Sequence, residues 1–270
     1  MPRQDDSRQG IQSIEVGVTL LQVLADSGHA MMLRDLAAAA GMPAAKAHRY
    51  LVSFMRAGLV AQDPVSGRYD LGPFALNLGL AALARLDAVR LATPYLESLN
   101  EQTDETIALA VWGNLGPTIV RWVEARRPVT VNLRTGSVMS LIGSATGLVF
   151  AAFSRSPKVQ QMVEEELAVA ARAKDDPRPR TRAQLEAILA EARQHGLARV
   201  VGSVIPGINA FGAPVYDHEG KLVLAITALG PAGLFPAHWN SPVARALRQA
   251  SQALSRDLGW KGEAPLSQAG

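Results

Sequence analysis

The chain has 270 residues, of which 48% are apolar and 19% are charged, and its formal net charge is +3. This length is sufficient for two domains with a core each, and the ordinary composition argues against a largely disordered protein. The sequence contains no cysteine. That excludes disulfide scaffolds, thiolate metal sites and cysteine nucleophiles, and it is typical of a protein in the reducing cytoplasm.

Two segments bear on targeting and membranes. Residues 1–9 are polar and have no apolar core, so they do not resemble a secretory signal. Residues 135–154 carry no charge and are long enough to span a bilayer, but their Ser, Thr and Gly residues favour a buried helix of a soluble core. We therefore expect no membrane association.

The charge distribution does not locate a nucleic-acid site. Residues 1–72 carry seven Arg or Lys against seven Asp or Glu, so the basic excess lies in the second half of the chain. A prediction of DNA binding near the N-terminus therefore has to rest on local patterns.

The first part of the chain predicts three helices. Ser13 is the expected N-cap of the first helix, which ends at Asp26-Ser27-Gly28. Its inward-facing residues are predicted to be Ile14, Val18, Leu21, Leu24 and Ala25. The second helix, over residues 33–40, ends at Gly41, and the third follows Pro43, which suits a first helical turn. Its predicted inward residues are Ala47, Tyr50, Leu51 and Phe54. Two helices joined by a tight turn, after a supporting helix, predict a helix-turn-helix.

A hairpin and a long helix are predicted next. Residues 59–62 and 68–71 alternate in polarity around turn-forming residues 63–67, so they predict the β-hairpin that completes a winged helix. Residues 73–91 predict one long helix that links two domains and pairs between subunits, and a further helix over 94–103 opens the second domain.

The remaining chain predicts an α+β domain on an antiparallel sheet. Strands are expected at residues 106–112, 118–123, 129–134, 198–205, 207–215 and 221–229, the last two joined by a turn at 217–220. Helices are expected at residues 143–153, 182–195 and 241–258.

Several motifs resemble the IclR family of transcriptional regulators. They are Leu36-Ala37, Gly41-Met42-Pro43, His48-Arg49, Gly58-Leu59-Val60, Asp63-Pro64, Gly67-Arg68-Tyr69, Leu71-Gly72, the run from Leu99 to Thr103, the run from Gly207 to Asp217, and Leu229-Gly230-Pro231. The resemblance implies a winged helix-turn-helix over residues 11–73, a linker helix over 74–92 and a GAF-like α/β effector domain with an antiparallel sheet over 93–260. It also implies a homodimer or homotetramer on a palindromic operator in double-stranded DNA.

The third predicted helix of the chain is the second helix of the helix-turn-helix, and in such motifs this helix lies in the major groove. It therefore carries the predicted DNA contacts. Its outward residues are Arg49, Lys46, His48, Ala44 and Ala45. Arg49 ranks first, since arginine bonds bidentately to guanine, and the two alanines suit thymine methyl groups. Arg68 in the wing suits a phosphate or the minor groove, while Arg34 and Arg56 suit phosphates. The alternative is an ordinary solvated helix face.

The resemblance places an effector pocket between the sheet and the helix after a glycine-rich loop. Its expected wall comprises Val131, Ala145, Thr146, Ile208, Ala210, Thr227 and Leu229, with Ser144 and Asn209 nearby. Such a mostly apolar wall predicts an apolar or aromatic effector, such as an aromatic acid or catabolic intermediate, with Arg134 as the one nearby cation for a carboxylate. Alternatively, these small residues only let helix and sheet pack closely.

No catalytic or metal motif accompanies these features. The five histidines share no ligand spacing, and neither a G-x-S-x-G elbow nor a phosphate-binding loop occurs. We therefore predict a cytoplasmic, ligand-responsive regulator of a catabolic operon, repressor or activator, without a cofactor. The alternative is a small-molecule-binding or hydrolytic enzyme with an accessory winged-helix domain.

Overall fold

The computed structural model describes residues 10–84, 87–126, 133–174, 176–202 and 205–262. The chain divides into two compact units, Met1–Leu86 and Asp87–Gly270. The first unit consists of α1 (Gln12–Ser27), α2 (Leu33–Ala39), α3 (Ala44–Arg56), β1 (Val60–Gln62), β2 (Tyr69–Leu71) and α4 (Pro73–Ala84).

Gly28 and Gly41 follow the ends of the first two helices, as predicted, and Pro43 precedes the third. Gly28 and Gly41 have φ values of 66° and 65°, the left-handed conformation that ends a helix at little cost to glycine. Pro43 is the N-cap of α3 rather than its first helical residue, and its carbonyl oxygen accepts hydrogen bonds from the N–H groups of Lys46 and Ala47.

The predicted cap and inward face of α1 are wrong in part. The N-cap is Ile11, without a side-chain hydrogen bond, so Ser13 lies inside the helix. The buried residues are Gly17, Leu20 and Leu24, whereas Ile14 is 59% exposed and Val18 37% exposed. The rings of Tyr50 and Phe54 lie against Gly17, where an added Cβ would be 2.9 Å and 3.0 Å from them. Because glycine has no apolar side chain, the hydrophobic pattern of α1 does not reveal that the face containing Gly17 is the buried one.

The predicted wing is confirmed. β1 pairs antiparallel with β2, and a backbone bridge from Met31 to Tyr69 ties the hairpin to the helices. In the turn, the Asp63 carboxylate accepts hydrogen bonds from the N–H groups of Val65 and Ser66 at 2.7 and 2.9 Å. These two bonds, chiefly the one from Ser66, lower the pKa of Asp63.

The single helix predicted over residues 73–91 is wrong. α4 ends at Ala84, and α5 (Ala88–Thr103) begins after Asp87, whose carboxylate accepts hydrogen bonds from the N–H groups of Val89 and Arg90. This cap fixes Asp87 in an extended conformation, which starts a new helix. Pro94 therefore lies inside α5 and does not open a helix there.

The second unit is built on a five-stranded antiparallel sheet. It comprises α5, β3 (Thr106–Gly113), β4 (Gly116–Val123), α6 (Ala145–Phe153), α7 (Pro157–Arg172), α8 (Arg182–His195), β5 (Ala198–Val201), β6 (Ile208–Tyr216), β7 (Leu222–Pro231) and α9 (Pro242–Asp257). The strand order is β4-β3-β7-β6-β5, and every pairing is antiparallel. The α+β prediction is confirmed.

One predicted strand of the second unit is mostly not described, and one helix of this unit was not predicted. Most of the strand expected at residues 129–134 lies outside the described residues, because 127–132 are not described. α7 was not predicted, although Val159, Val163 and Leu167 recur at helical spacing and are buried.

Helices cover both faces of the sheet. On one face α5 and α9 pack against Phe211, Ile226 and neighbouring strand residues. On the other face lie α6, α7 and α8, and α6 is buried from Ala145 to Ala151. Its backbone approaches β6 so closely that a Cβ on Gly212 would lie 2.7 Å from the carbonyl oxygen of Ala145. The uncharged stretch thus contains a short buried helix, and none of the described helices is long and apolar enough to span a membrane.

Candidate functional site

The outer surface of α3 is the first candidate site. Ala44, Ala45, His48 and Arg49 are exposed and Lys46 is half-buried, whereas Ala47 and Leu51 on the opposite side are fully buried. The amphipathic pattern of the sequence therefore orients this helix as predicted. Its N-terminal half presents one guanidinium, one ammonium and one imidazole group to solvent.

Within the described residues, no carboxylate forms an ion pair with the exposed arginines of this unit. The ion pairs of the second unit lie between residues 164 and 199. Arg34, Arg49 and Arg56 are exposed and take part in none of these pairs. Arg68 is also exposed, and its Nη1 donates a hydrogen bond to the carbonyl oxygen of Ala30 at 3.1 Å. One side of its guanidinium is thus used in a hydrogen bond that holds the wing to the segment before α2.

The second candidate site is a cavity of about 230 Å³ on the α6 face of the sheet. Its floor is formed by β3, β6 and β7 through Ala108, Ile208, Ala210, Thr227 and Leu229, and one wall by Ser144, Ala145 and Thr146 at the start of α6. The structure therefore gathers seven of the nine predicted effector residues around one cavity. They are Ser144, Ala145, Thr146, Ile208, Ala210, Thr227 and Leu229.

The two remaining predicted residues are not among the described lining residues. Val131 lies outside the described residues. Asn209 is buried on the other side of the sheet, where its amide nitrogen lies 3.5 and 3.4 Å from the carbonyl oxygens of Ala232 and Phe235. Alternation along a strand requires this, because Ile208 and Ala210 face the cavity and the residue between them faces away.

Ten of the seventeen lining residues were not predicted from the sequence. These residues are Ala108, Ile119, Trp122, Leu133, Val138, Met139, Ser140, Gly143, Val200 and Ile205. Ala108 is the register partner of Thr227, so correct strand pairing would have identified it. The segment containing Val138 and Met139 gave no local signal. It lies along the outer edge of β4, where the Met139 N–H donates to Pro117 at 2.7 Å and the Ile119 N–H to Ser137 at 2.9 Å.

The cavity is apolar apart from a few hydroxyl groups. Thr146 and Thr227, both at most 5% exposed, share a hydrogen bond of 2.8 Å between their Oγ1 atoms. Ser144 caps α6, and its Oγ accepts a hydrogen bond from the Gly147 N–H. The described lining contains no charged side chain. Arg134 is exposed and is not part of the lining, so the structure does not support its predicted role as the carboxylate partner.

Among the described residues, no three His, Asp or Glu side chains are grouped closely enough to hold a metal ion. The features that the fold does assemble define a class, namely a protein with a winged-helix unit and a second unit that contains an apolar cavity.

Comparison with known proteins identifies the family within that class. Residues 13–64 match the IclR helix-turn-helix domain, and residues 80–256 match the bacterial transcriptional regulator IclR C-terminal domain. The chain belongs to the IclR family, and it is a DNA-binding transcriptional regulator rather than an enzyme.

Individual relatives match over nearly the whole chain. The glycerol operon regulatory protein of Streptomyces griseus is 30% identical over 256 residues, which cover 93% of this chain and 98% of that protein. The DNA-binding transcriptional repressor YiaJ of Escherichia coli is 27% identical over 270 residues, covering 96% and 92%. The crystal structure of Pseudomonas aeruginosa HmgR has a TM-score of 0.85 at 40% identity, covering 94% of this chain and all of that one.

Proposed function

We propose that this regulator binds a palindromic operator as a homo-oligomer in the cytoplasm and responds to a largely apolar or aromatic effector of a catabolic operon. The observation that carries this proposal is the lining of the cavity, which is apolar with a few hydroxyl groups. The S. griseus relative is named for a glycerol operon, which supports control of a catabolic operon here.

The DNA contacts follow from the exposed surface of α3. Arg49 is the proposed base-reading residue, assisted by Lys46 and His48, with Ala44 and Ala45 at the helix start in reach of thymine methyl groups. Arg34, Arg56 and Arg68 are the proposed phosphate contacts. No carboxylate of the described part of the chain forms an ion pair with Arg34, Arg49 or Arg56, so their charge is available to the DNA backbone.

The proposed oligomer rests on exposed apolar residues of α1 and α4. Ile11 and Ile14 are 64% and 59% exposed at the start of α1, and Leu76, Leu78 and Leu80 are 49–63% exposed on α4. All but one of the residues of α4 are apolar or glycine, which is unusual for a helix whose residues from Leu76 to Ala81 are all exposed. A second copy of the chain would cover such surfaces and would supply the second recognition helix that a palindrome requires.

The effector class follows from the chemistry of the cavity wall. A dianion would be desolvated here without a cationic partner among the described lining residues, which is costly. A flat apolar ligand would instead contact Trp122, Met139 and Leu229 and direct a polar group toward the hydroxyls of Thr146 and Thr227. A single carboxylate could lie near the start of α6, which carries the positive end of the helix dipole.

Operator binding is tested by fluorescence anisotropy with labelled DNA from upstream of the protein's own gene and with random DNA of equal length. We expect tighter binding to the upstream DNA and a steep loss of affinity as salt increases. Equal and weak binding to both DNAs would argue against this operator.

The effector class is tested by thermal denaturation with benzoate, para-hydroxybenzoate and phenylacetate against malonate, succinate and glutarate. We expect the aromatic acids to raise the melting temperature, because a ligand of the folded state stabilises it by mass action. Stabilisation by the dicarboxylates alone would refute the proposed effector class.

A further inference from the structure

The loop before α6 forms part of the effector cavity, because Ser140, Gly143 and Ser144 line it. This loop and the helix are closely packed. A Cβ on Gly147 would lie 1.9 Å from the carbonyl oxygen of Ser140 and 2.6 Å from the Cα of Leu141. Any shift of the loop therefore moves the start of α6 and the cavity wall.

The outer side of this loop is bonded to one carboxylate. Glu166 on α7 accepts a hydrogen bond from the Leu141 N–H at 2.7 Å and another from the Ser140 hydroxyl. The Ser140 Oγ in turn accepts a hydrogen bond from the Gly143 N–H at 2.9 Å. Glu166 does not line the cavity, and only 19% of its side chain is exposed.

Arg178 completes the arrangement. Its Nη1 lies 2.8 Å from Glu166 Oε1, and its Nη2 lies 2.6 Å from Asp176 Oδ2. The aliphatic part of the same side chain packs on the loop, where a Cβ on Gly143 would lie 2.9 Å from the Cδ of Arg178. The arginine thus fixes the rotamer of Glu166 and contacts the loop directly.

We propose that Glu166 and Arg178 are positioning residues that hold the Ser140–Ser144 loop in the shape that accepts the effector. The proposal rests on the effector pocket proposed above and assigns part of its affinity to an ion pair outside the cavity. Charge-assisted hydrogen bonds to a backbone N–H are strong and directional, so the pair restricts the loop before a ligand arrives.

The test compares Glu166→Gln and Arg178→Gln with Glu164→Gln as the matched control. Glu164 is on the same helix and pairs with Arg182, but 57% of its side chain is exposed and it bonds no part of the loop. We expect hydrogen exchange at the Leu141 and Gly143 amides to accelerate about tenfold in the first two variants and not in the control. We also expect Glu166→Gln and Arg178→Gln each to lower the affinity for the aromatic acid that binds most tightly in the screen by about fivefold to tenfold, as measured by calorimetry. Neither substitution removes a residue that lines the cavity.

Each outcome decides the proposal. Equal exchange rates in all three variants would overturn it, and so would faster exchange with unchanged affinity. Unchanged hydrogen exchange of the β7 amides excludes unfolding of the variants. Arg178→Lys keeps the charge, so its exchange rates at Leu141 and Gly143 should lie between those of the wild type and Arg178→Gln. If no aromatic acid binds the wild type, the proposed effector class fails, and the exchange rates alone decide whether the pair holds the loop.

Discussion

Three exposed arginines of the first unit and four arginines of the second unit differ in their partners. In the first unit Arg34, Arg49 and Arg56 are exposed and form no ion pair within the described residues. In the second unit Arg178, Arg182, Arg193 and Arg199 are each paired with a carboxylate at 3.0 Å or less. The basic excess along the sequence lies in the second half, where these four arginines have carboxylate partners.

The difference shows why a count of charges does not locate a DNA-binding surface. Affinity for the phosphate backbone depends on cations that are free to replace counterions. An arginine already bonded to a glutamate contributes little to that field. On the proposal made above, the unpaired cations of α3 contribute more to DNA binding than the four paired arginines of the second unit.

The units also differ in how tightly their helices are packed, and the largest expected effect tests this. Gly147→Ala should destabilise the second unit by about 3 kcal/mol or more, because the added methyl group meets backbone atoms of Ser140 and Leu141. Gly17→Ala should cost the first unit only about 1 kcal/mol, since its methyl group meets the rings of Tyr50 and Phe54, which can turn aside. Thermal unfolding of both variants measures the difference, and equal losses would contradict it.

The apolar surface of the first unit should be needed for tight operator binding. Leu76→Glu places a charge on α4 and should separate the subunits, and the loss of bivalent binding should lower operator affinity about a hundredfold. Val169→Glu is the control, because Val169 is a similarly exposed apolar residue on α7 of the second unit. Sedimentation velocity and anisotropy measure the two effects. If Leu76→Glu leaves the oligomer intact, this face of α4 is not the interface.

The contrast between free and paired arginines can be tested directly. Arg49→Ala should weaken operator binding about tenfold or more and relax the preference over random DNA, because it removes a base contact worth about 1–3 kcal/mol. Arg193→Ala removes a guanidinium that is paired with Glu186, and we expect less than a twofold change. Anisotropy with both DNAs provides the measurement. Similar losses in the two variants would indicate that net charge, rather than exposed position, governs binding.

The smallest expected effect concerns two acidic side chains, one in each unit. Arg178 lowers the pKa of Asp176 to about 2, mainly by the hydrogen bonds of its side chain and to a smaller extent by that of its backbone N–H. In contrast, hydrogen bonds from backbone N–H groups lower the pKa of Asp63. Each carboxylate contributes its full stabilisation above the pKa that it has in the unfolded protein, near 4. This contribution is lost as the pH falls through the lower pKa of the folded protein.

Salt should separate these two cases. Raising the ionic strength to about 1 M shortens the screening length to about 3 Å, so the pKa of Asp176 should rise more than that of Asp63. Titration of the carboxyl carbons by NMR measures both values. A larger rise at Asp63 would contradict the assignment of the arginine as the main cause at Asp176.

Local sequence patterns predicted most of the elements and the outer face of α3. Glycines at positions 28, 41 and 196 end helices in the structure, and the helix at residues 182–195 was predicted with its full limits. These features are decided by residues that are close in the sequence. The break at Asp87 was missed, because a carboxylate cap inside an apolar helical pattern is a weak signal beside the periodicity of its neighbours.

The cavity was predicted through the resemblance and only in part. The sequence by itself determined the order of helices and strands and the polar face of α3, because hydrogen bonding and side-chain periodicity act over a few residues. The tertiary structure decided that Asn209 faces away from the cavity, that Met139 and Trp122 line it, and that Glu166 bonds the loop at Ser140. Those contacts join segments tens of residues apart, and they depend on strand register and close backbone packing, which no local pattern encodes.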